Sequence, residues 1–234
     1  MSIDDTGLFE IGMLQLSDSF FPTGMYATSN GLEALYYAKR LRNVQDLRGL
    51  LEVYIGQQIG PTDCNALSKA LEFAMRSELG KLVEVDQMTY AMKLCQETRD
   101  ASARSGTQLL RCIGTFIKVD GLLNKYMVAI EERKASGIYP VALGVACHVF
   151  GIPREKAAIM MLYSFTVSVV GAAIRLGVVT HFDGQNVIHG LKPAILQAAR
   201  ENVERPLSDM WQFAAEIDIF QMTHEQMPSR MFIS

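Results

Sequence analysis

The 234-residue chain lacks the short motifs that identify most common enzyme classes. It has no GxxxxGK[ST] or GxGxxG loop, whose backbone N–H groups bind nucleotide phosphates, and no GxSxG nucleophile elbow. His224-Glu225 begins like a zinc-binding HExxH helix, but Pro228 stands where the second histidine would be. No two histidines lie three or four residues apart, so no single helix face is expected to carry two metal ligands. These absences predict a protein without a catalytic residue, a cofactor or a metal site.

An excess of basic residues and closely spaced cysteines are also missing. The formal net charge is -3, which gives no electrostatic reason to expect binding to nucleic acid or to an anionic membrane. No CxxC pair occurs, and each cysteine lies in a helical apolar pattern that is typical of a buried, reduced thiol; the four are Cys64, Cys95, Cys112 and Cys147. The acidic start, MSIDDTGLFE, does not resemble a secretory signal. We therefore expect a cytoplasmic protein.

Residues 157–174 contain no charged side chain and approach the length of a membrane-spanning helix. Polar residues such as Tyr163, Ser164 and Thr166 interrupt the segment, and the chain has no second span. A helix surrounded by other helices is also apolar on every side. We therefore interpret the segment as the central buried helix of a bundle rather than as a membrane span.

Helical periodicity of apolar residues runs through the whole chain. One stripe spans residues 47–59 with apolar side chains three and four positions apart, and similar stripes recur in the later segments. Convincing alternation with a period of two is absent. With 49% hydrophobic residues the chain has enough apolar surface for a sizeable core. The pattern predicts an all-α, single-domain helical bundle of roughly eight to ten helices over residues 1–234.

Glycine and proline residues suggest where these helices begin and end. Gly60-Pro61 is expected to break one helix and start the next, and Pro140 to start a helix that stops at Gly151. Asp183-Gly184 is interpreted as a turn, and Pro193 is expected to kink or split the helix that follows. A last helix is predicted near residues 207–220, with Trp211 in it.

Two segments carry apolar residues that a self-contained bundle does not explain. In residues 17–33, Phe20 and Phe21 precede a Pro-Thr-Gly turn, so this loop either tucks its aromatic rings under the core or offers them to a partner. Residues 221–234 form a tail with Met231, Phe232 and Ile233 around Arg230. Because exposed apolar termini are unusual, we predict that this tail docks on a protein partner.

The same segments resemble the family of urease accessory protein UreF. The resemblance runs from about residue 14 to the end and is sparse between residues 61 and 99. It rests on a Pro-x-Gly loop, a Gly-Leu-Glu triplet, a PVAxG segment, an AAxRL segment, a DGQ segment and a C-terminal LDI, HE and SRLFxS signature. Here these are Phe21-Pro22-Thr23-Gly24, Gly31-Leu32-Glu33, Pro140-Val141-Ala142-Leu143-Gly144, Ala172-Ala173-Ile174-Arg175-Leu176-Gly177, Asp183-Gly184-Gln185, Asp218-Ile219, His224-Glu225 and Ser229-Arg230-Met231-Phe232 with Ser234. The chain departs from the family pattern at Thr28, Asn30 and Pro228.

This resemblance implies a non-catalytic, homodimeric accessory protein. Proteins of this family bind a second accessory protein, UreD or UreH, largely through the C-terminal tail, and recruit the GTPase UreG for nickel delivery into apo-urease. The residues that it implies for partner binding are His224, Glu225, Arg230, Met231, Phe232 and Ser234 in the tail, with Gly24, Tyr26 and Glu33 near the N-terminus.

One alternative from the residues themselves stays open. Helical bundles also hold ligands between their helices. A helical enzyme or small-ligand carrier would place such a site near His148, His181 or Tyr163.

Overall fold

The computed structural model describes residues 7–24, 28–119 and 121–233, and none of these residues lies in a β-strand. The all-α fold is confirmed. The helices are α1 (Leu8–Ser17), α2 (Leu32–Tyr37), α3 (Val44–Val53), a π-helical segment (Tyr54–Cys64), α4 (Asn65–Met75), α5 (Leu79–Met92), α6 (Gln96–Ile113), α7 (Gly121–Glu131), α8 (Tyr139–Val149), α9 (Arg154–Arg175), α10 (His181–Val203), a 3-10 turn (Leu207–Asp209) and α11 (Ala215–Glu225). α3, the π-helical segment and α4 follow one another without a gap and form one continuous helix. Counted in this way, the described residues form ten helices and the 3-10 turn.

The centre of the bundle is built on α8 and α9. Every residue from Pro140 to Cys147 in α8 is buried, and this helix packs on α4 and α6. Gly144 makes the approach to α4 possible, since a Cβ there would lie 2.6 Å from the carbonyl oxygen of Leu67. The glycine of the PVAxG segment is therefore explained by helix packing.

The uncharged segment predicted as a central helix forms most of α9. Among the described residues, α9 is the one helix long and apolar enough to cross a membrane, and 67% of its most apolar stretch is buried inside the protein. Its neighbours include α10, α4 and the π-helical segment. The prediction of a buried central helix is confirmed.

The predicted helix break at Gly60-Pro61 is wrong. Pro61 lies inside the π-helical segment, and the chain continues as helix on both sides. The wider turn of a π-helix accommodates a proline, which has no backbone N–H to donate. Gly60 is needed there because a Cβ would lie 2.4 Å from the carbonyl oxygen of Ile55.

Two other local predictions are also wrong. Asp183-Gly184 is not a turn, because Asp183 forms a capping box with Thr180 and the first turn of α10 includes both predicted turn residues. Residues 210–214 are not helical, and the carbonyl oxygen of Trp211 instead accepts a hydrogen bond from Thr62 Oγ1 at 2.7 Å. Hydrogen bonds to neighbouring elements thus satisfy this segment without a helix.

Pro193 and the four cysteines lie in or beside helices. α10 continues through Pro193, so the helix is not split there. Cys64, Cys95 and Cys147 are buried free thiols, as predicted, whereas Cys112 is only half-buried.

Candidate partner-binding site at the C-terminal tail

Glu33 holds the end of the chain against the body. This residue lies in the first turn of α2, is 1% exposed, and accepts hydrogen bonds from the backbone N–H of Met231 at 2.8 Å and of Phe232 at 3.2 Å. Its carboxylate also lies 3.1 Å from Nε2 of His224. A single buried carboxylate therefore joins α2, α11 and the tail.

His224 and Arg230 connect the same group to α6. The fully buried His224 ring has its Nδ1 atom 2.7 Å from Oε2 of Glu97, and Arg230 Nη1 lies 2.5 Å from Oε1 of the same carboxylate. We call the four residues Glu33, Glu97, His224 and Arg230 the tail clamp. Within it, the guanidinium of Arg230 pairs with the Glu97 carboxylate and the His224 ring lies between the two carboxylates, so the buried polar groups have hydrogen-bonding partners.

Glu225 adds a second link between α11 and α6. Its carboxylate accepts a hydrogen bond from the thiol of Cys95 at 3.0 Å and from the backbone N–H of Glu97 at 2.7 Å. The Cys95 thiol, and then the N–H of Glu97, lower the pKa of Glu225 below its ordinary value. A carboxylate at this position also interacts favourably with the N-terminal end of the α6 dipole.

Phe232 packs inside the protein rather than on its surface. The side chain is 5% exposed, and the guanidinium carbon of Arg175 lies 4.5 Å from the centre of the phenyl ring. Arg175 belongs to the last turn of α9, so this cation–π contact ties the tail to the central helix.

The neighbours of Phe232 point the other way. Met231 is 61% exposed and Ile233 is 58% exposed. The backbone N–H groups of Met231 and Phe232 are bonded to Glu33, and of the three side chains only that of Phe232 is covered by the body of the protein. The tail thus presents a small apolar surface on a backbone that is already fixed.

An open groove of about 620 Å³ borders this surface. Its lining includes Pro22, Thr23 and Gly24 of the N-terminal loop, one face of α6, and Ile233 of the tail. Gly24 has φ +82°, a left-handed conformation that favours glycine, and nothing would obstruct a Cβ there. Phe20, two residues before Pro22, is 93% exposed.

The structure thus brings together most of the residues that the resemblance implied. Glu33, His224, Glu225, Arg230, Met231 and Phe232 lie in or beside the tail clamp, and Gly24 lies across the groove. Tyr26 and Ser234 lie outside the described residues. Direct contact with a partner would require Glu33, His224 and Phe232 to leave the interior. In the structure these three residues hold the tail in place. Their role as partner-binding residues stays a prediction.

The sequence did not indicate that Glu97 and Cys95 hydrogen-bond to α11, or that Arg175 contacts Phe232. Glu97 occupies the first turn of α6, where an acidic residue is common for reasons of helix stability alone. No spacing in the sequence links it to residues more than 120 positions away.

The residues of the alternative ligand site lie at the protein surface. His148, His181 and Tyr163 are exposed, and none of them lines the groove at the tail. Within the described part of the chain, no group of three or more His, Cys, Asp and Glu residues is arranged to hold a metal ion.

Comparison with known proteins places the chain in a family. The family model described as UreF matches residues 41–192. The chain is 30% identical to "Urease accessory protein UreF" of Corynebacterium glutamicum (strain R), over 95% of this chain and 96% of the relative. It is 26% identical to the protein of the same name from Trichodesmium erythraeum (strain IMS101), over 95% and 96%, and 27% identical to that of Bacillus sp. (strain TB-90), over 96% and 98%. The chain belongs to the UreF family of urease accessory proteins.

Proposed function

We propose that the chain is a non-catalytic scaffold for urease maturation. It binds a second accessory protein, UreD or UreH, through the C-terminal tail, and together they recruit the GTPase UreG and couple its nucleotide cycle to nickel insertion into apo-urease. The protein acts in the cytoplasm as a homodimer. Family membership supports the coarse role in urease maturation.

One observation carries the assignment of the tail as the docking element. Met231 and Ile233 expose apolar side chains on a backbone that Glu33 already fixes. A partner that covers them buries apolar surface without having to order the tail first. Arg230, whose side chain is 39% exposed, stands beside them as a charged group at the rim.

The sharpest test replaces only the exposed pair. Deleting everything from His224 onward would also remove a fully buried side chain and so disturb the fold. The variant Met231→Ser/Ile233→Ser leaves the tail clamp intact and is expected to weaken binding to the cognate UreD or UreH by about tenfold or more in titration calorimetry.

A matched control removes apolar surface elsewhere. Met75 and Leu196 are 65% and 39% exposed, and Met75→Ser/Leu196→Ser is expected to bind the partner as tightly as the native chain. Equal binding by the tail variant and the control would reject the tail as the docking element.

The homodimer is tested separately. α1 exposes Leu8, Ile11 and Leu14, three apolar residues at a spacing that places them on one side of the helix. Light scattering at micromolar concentration is expected to give twice the mass of the chain, and a monomer would refute self-association.

A further inference from the structure

The groove beside the tail has a strongly one-sided charge. Among the described residues that line it there are two arginines, Arg104 and Arg111, and no aspartate or glutamate. This contrasts with the chain as a whole, which has a net charge of -3. The local field therefore favours an anionic occupant even though the protein is acidic overall.

Both guanidinium groups are available for a ligand. Arg104 and Arg111 are exposed, and neither forms an ion pair or side-chain hydrogen bond with another described residue. Other arginines near the tail are engaged, such as Arg230 with Glu97. An arginine presents a planar fork of donors that fits a carboxylate in a bidentate manner.

The spacing of the two arginines suggests the form of the occupant. They are seven residues apart on α6, with Thr107 and Gln108 between them on the same face of the groove. At a rise of about 1.5 Å per residue, their Cα atoms are separated by about 10 Å along the helix axis. Two carboxylates three residues apart in an extended peptide of polyproline II conformation, with three residues per turn and a rise of about 3.1 Å per residue, lie on one face and span nearly the same length.

The other residues that line the groove suit a polypeptide better than a small anion. Ser105, Thr107, Gln108 and Ser136 offer side chains that hydrogen-bond to a peptide backbone, while Pro22 and Ile233 add apolar surface. A volume of about 620 Å³ in an open groove accommodates several residues of an extended segment.

We propose that this groove binds an extended acidic segment of the partner protein, with two carboxylates at a spacing of three residues placed against Arg104 and Arg111. The inference rests on the proposed function, since the segment belongs to the protein that covers Met231 and Ile233. It adds an electrostatic contact in the groove that Ile233 also lines, and this contact selects partners by charge.

Charge reversal at the two arginines tests the proposal. Arg104→Glu/Arg111→Glu is expected to weaken binding to the cognate UreD or UreH by about tenfold or more and to make the affinity less dependent on salt. The matched control, Lys125→Glu/Lys156→Glu, changes the net charge equally at two exposed lysines outside the groove and is expected to bind like the native chain. If the glutamate variant fails to fold by circular dichroism, Arg104→Gln/Arg111→Gln replaces it.

A peptide assay separates this inference from the proposed function. The probes are a labelled decapeptide with glutamates at three-residue spacing and the same peptide with glutamines, measured by fluorescence anisotropy. Only the glutamate peptide is expected to bind, and only to chains with both arginines. If native protein fails to bind UreD or UreH but still binds this peptide, the proposed function fails and the groove assignment is retained.

Three results would overturn the inference. The first is unchanged partner affinity and salt dependence in the charge-reversed variant while the native chain binds normally. The second is equal binding of the glutamate and glutamine peptides. The third is a difference in oligomeric state between the charge-reversed chain and the native chain, measured by light scattering in the absence of a partner. Such a difference would mean that the groove binds a second copy of the chain.

Discussion

Replacing Glu33 by alanine should release the tail and destabilise the protein. The carboxylate accepts hydrogen bonds from two backbone N–H groups of the tail and lies within hydrogen-bonding distance of His224, so its removal leaves both N–H groups and the buried His224 ring without this partner. Hydrogen bonds to a charged group contribute about 1.5–3 kcal/mol each, and breaking a buried charged network costs about 3–5 kcal/mol. We expect Glu33→Ala to lower the free energy of unfolding by about 3–5 kcal/mol.

Two measurements check this expectation together. Urea denaturation gives the free energy of unfolding. Limited digestion with trypsin, followed by mass spectrometry, reports whether the Arg230–Met231 bond is cleaved, which requires the tail to leave the clamp. Glu33→Gln keeps the shape and one oxygen acceptor and should fall between the native chain and the alanine variant.

An exposed glutamate serves as the control. Glu52 pairs with Arg48 on the surface of α3, and Glu52→Ala is expected to change stability by roughly 0–1 kcal/mol without exposing the Arg230–Met231 bond. If Glu33→Ala matched this control in both measurements, the interpretation of Glu33 as the anchor of the tail would be refuted.

Three further predictions concern the body of the protein. Lys93→Met leaves the buried carboxylate of Asp63 without its partner at 2.9 Å, so the free energy of unfolding in urea should fall by about 3 kcal/mol, and Asp63→Asn added to it should restore part of the loss; no restoration would contradict the pairing. Gly144→Ala places a Cβ 2.6 Å from the Leu67 carbonyl oxygen and should cost about 1–3 kcal/mol by the same assay, while a neutral effect would show that α4 and α8 adjust freely. Because the folded state lowers the pKa of Glu225, its charged form stabilises the fold above the ordinary carboxyl pKa, and this contribution disappears as the pH falls through the lowered value. The stability difference between the native chain and Glu225→Gln should therefore shrink between pH 7 and about pH 3, and a constant difference would contradict this sign.

The fold class was predictable because apolar spacing directly reflects which helix faces are buried. The stripe over residues 47–59 and the uncharged segment in α9 both lie in the core. Prolines were less informative, since Pro61 and Pro193 both sit inside continuous helix. A proline removes one hydrogen bond, and packing on several neighbouring helices outweighs that loss when the element is buried.

The site was predictable as a set of residues but not as an arrangement. The tail and the Gly-Leu-Glu triplet could be named in advance, yet nothing in the sequence indicated that Glu33 hydrogen-bonds residues almost 200 positions later. An apolar terminus indicates burial somewhere, but not whether its own body or a partner covers it. In this tail both cases occur within three residues: the body of the protein covers Phe232, whereas Met231 and Ile233 are exposed.

This division distinguishes two ways in which a partner could use the tail. If the partner binds the tail as it stands, the clamp pre-organises the docking surface, and Glu33→Ala should weaken binding because the released tail must be ordered again. If the partner instead extracts Phe232, binding has to break the hydrogen bonds to Glu33 and the contact with Arg175, and Glu33→Ala should strengthen binding by removing part of that cost. The sign of the change in UreD or UreH affinity, measured by calorimetry on folded Glu33→Ala protein, decides between them. The exposure of Met231 and Ile233 in the free chain favours weaker binding, and tighter binding would refute pre-organisation.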